Sequence, residues 1–133
     1  MRSIAALLML IGGMSVAQAE AEKWGALVVA EERICPPSLP GKCALKERIT
    51  ARAVTGKATA EEAQEAALLM CASTGITGCR VVDTFTTCGF ITTGKNLSER
   101  KLKFRFGSDP HMILAECEDG GFTCHPPMGG CND

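Results

Sequence analysis

The chain has 133 residues with 14 Lys and Arg against 15 Asp and Glu, a formal net charge of −1. This near balance argues neither for nor against a polyanionic partner. One Trp and no Tyr argue against the aromatic platforms that stack sugars or single-stranded bases. We therefore expect no cofactor and no nucleic-acid partner.

Residues 1–19 have the pattern of a signal peptide. Arg2 supplies the positive charge, Ile4 to Met14 form a short apolar run, and Ala17-Gln18-Ala19 is a small-x-small cleavage site. The apolar run has 11 residues, fewer than the roughly 20 that a membrane-spanning helix needs. We predict cleavage before Glu20, leaving residues 20–133 as one exported, periplasmic or secreted domain without a membrane span.

Two strands are predicted before the first helix. Trp24 to Ala30 is a short apolar run rich in β-formers, which is typical of a buried strand. Prolines and glycine predict a loop from Glu31 to Gly41. Apolar and polar residues alternate from Ala44 to Val54, which predicts a half-buried strand with a basic outer face that ends at Gly56.

The middle of the chain predicts a helix, a glycine turn and two strands. Thr59 and Glu62 have the spacing of a capping box at the start of the helix. The helix is predicted to end at Ser73-Thr74-Gly75, and β-formers then predict strands from Cys79 to Cys88 and from Gly89 to Thr93. Residues at helical spacing form a stripe suited to close packing on a sheet: Ala63, Ala66, Ala67, Met70 and Cys71.

The C-terminal third predicts a strand, a short helix and an irregular tail. Gly94-Lys95-Asn96 is predicted to be a turn, and alternation from Arg100 to Phe106 predicts a strand. Asp109-Pro110 marks the start of a helix that runs from His111 to Cys117. The tail that follows is rich in glycine and proline, so its two cysteines must hold it in place.

An even number of cysteines on a small exported chain predicts four disulfide bonds. A disulfide needs two Cα atoms within about 7 Å. The end of a helix and the start of the next segment can lie this close, whereas the two ends of an unbroken strand cannot. The sequence leaves other pairings open, but this argument favours Cys71–Cys79, Cys117–Cys124 and Cys35–Cys43, with Cys88–Cys131 tying the tail to the sheet.

Three elements, taken in order, resemble a known family. They are Trp24-Gly25-Ala26, Ala63-x-x-Ala66-Ala67-Leu68-x-x-Cys71 and Cys79-x-Val81-Val82-x-x-Phe85-x-x-Cys88. Their order resembles the secreted bacterial domain of unknown function family 4189, over roughly Trp24 to Thr93. The resemblance implies a small exported α+β domain, a bacterial source and no known catalytic residues. The chain departs from the family pattern between Ala30 and Thr59, where the Cys35–Cys43 loop is an elaboration.

The residue pattern gives little support to metal or catalytic chemistry. Zinc accepts the ligand types offered by His111, Cys117, Cys124, His125 and Cys131, but their spacings are not those of paired zinc knuckles. A thiolate is disfavoured at a helix C-terminus, the predicted position of Cys71 and Cys117. A hydrolase with an unrecognised Asp/His site remains an alternative, although no nucleophile elbow, metalloprotease motif or phosphate loop accompanies Asp83, Asp109, His111, Glu116 and His125.

Basic residues collect on two of the predicted strands. If those strands share a sheet, one basic face could dock an acidic protein or an anionic envelope component. The alternative is an ordinary solvated face on which lysines discourage pairing at the sheet edge. The residues of this possible binding face are Lys46, Arg48 and Arg52 on one strand, and Lys101, Lys103 and Arg105 on the other.

Together these patterns predict an α+β fold: a small antiparallel sheet, one main packed helix, and a C-terminal helix and tail stapled by disulfides. The favoured function is a non-enzymatic protein-binding module, either inhibitor-like or an envelope accessory protein. The alternatives are a periplasmic hydrolase and a purely structural envelope protein.

Overall fold

The computed structural model describes residues 22–34 and 46–133. The predicted signal peptide and the predicted Cys35–Cys43 pair lie outside these residues. The described chain forms β1 (Trp24–Ile34), β2 (Lys46–Lys57), α1 (Ala60–Ala72), β3 (Cys79–Phe85), β4 (Cys88–Asn96), β5 (Lys101–Gly107), α2 (Pro110–Glu118), β6 (Thr123–Cys124) and β7 (Met128–Cys131).

The strands form two antiparallel sheets. The first has the order β2-β1-β3; in the second, β4 pairs with β5 on one side and with β6 and β7 on the other. Helix α1 packs on the first sheet and α2 on the second, while the two sheets pack on each other. The predicted α+β class is confirmed, and the strands are divided between two sheets in a four-layer arrangement.

The central strand β1 is buried on both faces. Ala26, Val28 and Ala30 pack against α1, whereas Leu27 and Val29 pack toward the second sheet. All five are 0 % exposed. Successive side chains of a strand point to opposite faces, so a continuous apolar run is what a strand between two layers requires.

Helix α1 begins as predicted at a threonine cap. The Thr59 hydroxyl accepts a hydrogen bond from the Glu62 amide at 3.1 Å, and the Glu62 carboxylate accepts one from the Ala58 amide at 3.3 Å. Small side chains allow the helix to lie close to the sheet, and the fully buried ones are Ala63, Ala67 and Cys71. Met70 was predicted in the same stripe but is 41 % exposed, since it lies one position away from this four-residue row.

The predicted strand from Cys79 to Cys88 is wrong in its extent, because it is two strands. Thr86-Thr87 interrupts it and carries the chain from the first sheet to the second. β4 then continues through Gly94-Lys95-Asn96, where a turn was predicted. The turn lies at residues 97–100, where Arg100 adopts a φ of 56°.

The ring of Phe85, at the end of β3, fills the space between two glycines of different strands. A Cβ atom added to Gly25 of β1 or Gly89 of β4 would lie within 3.0 Å of ring atoms of Phe85. Phe85 itself is 7 % exposed and belongs to the core between the sheets. Both glycines therefore allow an aromatic ring to approach the backbone closely.

Three disulfides hold the described chain together. Cys71–Cys79 joins the end of α1 to β3, Cys117–Cys124 joins α2 to β6, and Cys88–Cys131 joins opposed positions of β4 and β7. These are three of the four pairs that the sequence favoured. Such bonds are typical of an extracellular or otherwise oxidising environment.

The tail is also held by the side chain of Asn132. Its carbonyl oxygen accepts from the Gly56 amide at 2.7 Å and its amide group donates to the Phe85 carbonyl at 3.1 Å. The Asn132 backbone amide donates to the Thr87 carbonyl at 2.8 Å. One residue therefore joins the tail to the ends of β2 and β3.

Neither described helix is long and apolar enough to cross a membrane.

Candidate functional site

The two predicted rows of basic residues do not share a sheet. β2 belongs to the first sheet and β5 to the second. Register places Arg48 and Arg52 on the α1 side, since Arg52 is opposite Val28. It places Lys103 on the α2 side, since Lys103 is opposite Gly94 and an added Cβ at Gly94 would lie 2.7 Å from Cys117 Sγ. The condition for one continuous basic face, that the two strands share a sheet, is therefore not met.

The basic side chains of β2 are engaged in local contacts. Arg48 forms an ion pair with Glu32 at 3.1 Å. The Arg52 guanidinium donates to the Ala51 carbonyl at 2.8 Å. The Lys46 side chain, also predicted in this row, lies outside the described residues.

The basic side chains of β5 are more available. Lys101 and Arg105 are exposed, and neither forms an ion pair within the described chain. Lys103 is half-buried: its Nζ donates to the Asp119 carbonyl at 2.8 Å and lies 4.2 Å from the ring centroid of Phe122. Arg105 donates to the Phe104 carbonyl at 2.7 Å. Lys101 and Arg105, which have no ion-pair partner among the described residues, thus flank a lysine that is fixed against the C-terminal end of α2.

A groove of about 560 Å³ runs beside this strand, and we call it the β5 groove. Its walls include five consecutive residues of β5, Leu102 to Phe106, together with Glu31 and Ile49 of the first sheet and Glu116 of α2. Phe106 is 41 % exposed, and its ring stacks on that of Phe104 with centroids 6.3 Å apart. The groove thus combines exposed aromatic surface with basic side chains, and it is also lined by the acidic residues Glu31 and Glu116.

Two charged residues beside the groove were missed by the sequence reasoning. The Arg80 guanidinium lies 5.5 Å from the ring centroid of Phe104 and forms a 2.8 Å ion pair with Glu31. Arg80 is on β3 and Glu31 on β1, so the pair bridges neighbouring strands and supports the Phe104 ring from the first sheet. No local pattern identifies these contacts. Arg80 and Glu31 are 49 positions apart in the chain, and Arg80 and Phe104 belong to different sheets.

A second groove, of about 370 Å³, lies between β2 and the segment that joins β6 to β7. Arg52, Thr93, His125 and Met128 contribute to its walls. The backbone amide of His125 donates to the Thr93 carbonyl at 2.9 Å, and the Thr92 hydroxyl donates to the His125 carbonyl at 2.6 Å. These bonds fix the backbone of His125 and leave its imidazole at an exposed position.

The acidic and histidine residues weighed as catalytic groups are dispersed. The Asp109 carboxylate caps α2 by accepting from the amides of His111 and Met112 at 2.9 and 3.3 Å. His111 lies in the first turn of α2, and His125 lies beyond β6. Within residues 22–34 and 46–133, no three His, Cys, Asp or Glu side chains are grouped so as to hold a metal ion. Of the residues weighed as catalytic groups, Asp83 lies on β3 and Glu116 on α2.

The comparisons with known proteins identify a family. A family model described as Domain of unknown function (DUF4189) matches residues 41–126. No curated protein and no solved structure matches the chain. The matched region extends beyond the expected limit at Thr93 and includes β5, α2 and the Cys117–Cys124 disulfide; it begins after β1, so Trp24-Gly25-Ala26 lies outside it. Because the match covers more than half of the chain, this protein belongs to the DUF4189 family.

Proposed function

We propose that the protein is an exported, non-enzymatic binding module, periplasmic or secreted, that recognises an acidic protein or an anionic envelope component. The observation that carries the proposal is the concentration of basic side chains on β5. Lys101 and Arg105 are exposed without ion-pair partners in the described chain, beside the aromatic surface of Phe106. In this proposal the protein acts as an inhibitor-like or envelope accessory protein.

The disulfides support a rigid recognition surface. The Cys117–Cys124 disulfide links α2 to β6. Both of its sulfur atoms pack directly on Gly94 of β4, where an added Cβ atom would lie within 3.0 Å of each. β4 in turn pairs along the whole of β5. A surface held rigidly before binding loses less conformational freedom on association. The scaffold therefore favours recognition by a preformed surface.

The predicted compartment fits this role. Residues 1–19 predict export, and the disulfides are typical of proteins that remain in an oxidising environment. Fractionation of a bacterial host that expresses the full chain tests this part directly. We expect the protein in the periplasm or medium, with a mass spectrum that shows Glu20 at the new N-terminus. Retention of Met1 in cytoplasmic protein contradicts it.

The binding role is tested by affinity capture from periplasmic extract. Exposed charges are screened over about 10 Å at 0.1 M salt, so a partner held by β5 should be retained at low salt and released as salt increases. The Lys101→Glu/Arg105→Glu double variant should lose the partner. A Lys95→Glu variant is the control, because Lys95 is an exposed cation on β4 rather than on β5.

Two results contradict the binding role. The first is the absence of a captured partner at either salt concentration. The second is activity of the purified protein on a panel of peptidoglycan, ester and peptide substrates that is lost when His111 or His125 is replaced.

A further inference from the structure

We propose that the outer edge of β5, with which no described strand pairs, takes up an extended segment of the partner as an additional antiparallel strand. The segment carries acidic side chains that alternate with apolar ones. This inference rests on the proposed binding function and specifies how the partner is held. In this mode of recognition, main-chain hydrogen bonds supply affinity and alternate side chains supply specificity.

The first observation is the position of β5 in its sheet. It pairs with β4 through all of its seven residues and, within the described chain, with no strand on its other side. The β5 groove is lined by consecutive residues, Leu102 to Phe106. Alternate residues line one face of a strand, so five consecutive ones mean that the groove follows the strand edge. This footprint suits an extended chain.

The second observation is the alternation along that edge. Register places Lys101, Lys103 and Arg105 on the side of α2, and Phe104 and Phe106 on the side of the first sheet. Side chains of an added strand would point alternately to the same two sides. One set would lie beside cations and the other beside aromatic rings. Cross-strand pairs of opposite charge and of aromatic with β-branched residues are favourable.

The third observation concerns the backbone of the edge. The Phe104 carbonyl is bonded by the guanidinium of Arg105, its own neighbour, at 2.7 Å. An incoming backbone amide can take over this acceptor, and Arg105 is then free to donate to a carboxylate of the added strand. The exchange gives the guanidinium a carboxylate in place of a neutral carbonyl, so the new hydrogen bond also joins two opposite charges. An acidic segment therefore gains from the exchange, whereas a neutral segment must displace the arginine without this compensation.

A second copy of this chain is a poorer occupant of the same edge. Antiparallel pairing of two β5 strands in one continuous sheet would place Lys101, Lys103 and Arg105 of both copies on the same side. Like charges opposite each other in a sheet are destabilising, and basic residues on an edge strand discourage such pairing. Charge therefore selects an acidic partner.

The test uses the disulfide-bonded mature protein and a capped synthetic peptide, Glu-Val-Glu-Val-Glu-Val-Glu. Titration followed by amide NMR should shift resonances of β5 and slow hydrogen exchange of its outward amides. A peptide with lysine in place of glutamate should not bind. A peptide with proline at the central valine should bind more weakly, because proline removes a backbone donor.

Variants of the protein distinguish strand addition from general charge attraction. Arg105→Glu should weaken binding about fivefold or more, the effect of losing one favourable charge contact and creating an unfavourable one. Lys95→Glu makes the same change of charge on β4. Lys95 is paired with Leu102 of β5 on one side and with Thr123 of β6 on the other, so no strand can be added there. This variant should therefore have a much smaller effect on binding. Unchanged amide spectra away from the site show that each variant is folded.

The possible outcomes are distinguishable. Equal weakening by the two variants, or shifts that avoid β5, overturns strand addition and leaves the binding function standing. Concentration-dependent dimerisation through β5, detected by sedimentation, assigns the edge to a second copy and also overturns the proposal. Failure of the peptide to bind, while the affinity capture gives a salt-sensitive partner, overturns only the mode of recognition. Failure of both overturns the proposed function as well.

Discussion

Replacement of Gly89 by Ala tests the packing between the two sheets. The added Cβ would lie within 3.0 Å of three atoms of the Phe85 ring, and the Gly89 backbone is not in the left-handed region that favours glycine. Overpacking of this kind lowers the free energy of unfolding by about 1–3 kcal/mol. The lower conformational entropy of the unfolded chain with Ala raises it by about 0.4–1 kcal/mol. We expect a net loss of about 1–2 kcal/mol and a melting temperature lower by roughly 4–10 °C.

The matched control is Gly130→Ala. Gly130 is directly opposite Gly89 in the pairing of β4 with β7, yet an added Cβ would meet only the Thr55 methyl group at 4.0 Å. This variant should be neutral or more stable by up to about 1 kcal/mol. Both proteins are compared with the wild type by thermal and urea unfolding with the disulfides intact.

A double-mutant cycle with Phe85→Leu identifies the ring as the cause. Phe85→Leu alone should cost about 1 kcal/mol through lost burial. In that background, Gly89→Ala should cost almost nothing, because the shorter side chain leaves room for the methyl group. Equal effects of Gly89→Ala in the Phe85 and Leu backgrounds, or equal effects of the two glycine substitutions, refute the reasoning.

Three further predictions concern the cap of α1, the contacts of the C-terminal tail and a disulfide bond. Thr59→Ala removes the oxygen that accepts from the Glu62 amide and should lower the free energy of unfolding by about 1 kcal/mol. Thr59→Ser keeps a hydroxyl at this position and should retain most of the stability. Asn132→Ala leaves the Gly56 amide and the Phe85 carbonyl without their side-chain partner. It should lower the free energy of unfolding, measured in urea, by about 1–3 kcal/mol. An unchanged urea midpoint would mean that water replaces the amide. Replacing Cys88 and Cys131 together by Ser opens a 43-residue connection and should cost about 4 kcal/mol, more than the loss of either shorter disulfide; equal losses contradict the loop-entropy model.

Features that depend on neighbouring residues were predictable. The caps at Thr59 and Asp109 were predicted from residue type and are present with the expected acceptor roles. The Cys71–Cys79 and Cys117–Cys124 bonds span 8 and 7 positions, so the helix and turn between the two cysteines largely decide whether their Cα atoms meet. Cys88–Cys131 followed only because the other pairs were assigned first.

Features that depend on distant partners were not predictable to the same extent. β-propensity is continuous through Thr86-Thr87, so the break between β3 and β4 leaves no local signal. The alternation around Lys103 correctly separated two sides of β5, but it could not show that β5 and β2 lie in different sheets. The family resemblance identified the family shown by the match to residues 41–126, although it placed the limits elsewhere.

By itself, the sequence determined the α+β class, the helix starts and the cysteines available to staple the chain, because caps, periodicity and short connections are local properties. Only the tertiary structure decided which strands share a sheet, where Phe85 packs and which basic row is available for contact. Each of these depends on long-range pairing: Arg48 is engaged because Glu32 lies beside it, whereas Arg105 lies on the side of β5 with which no strand of the described chain pairs.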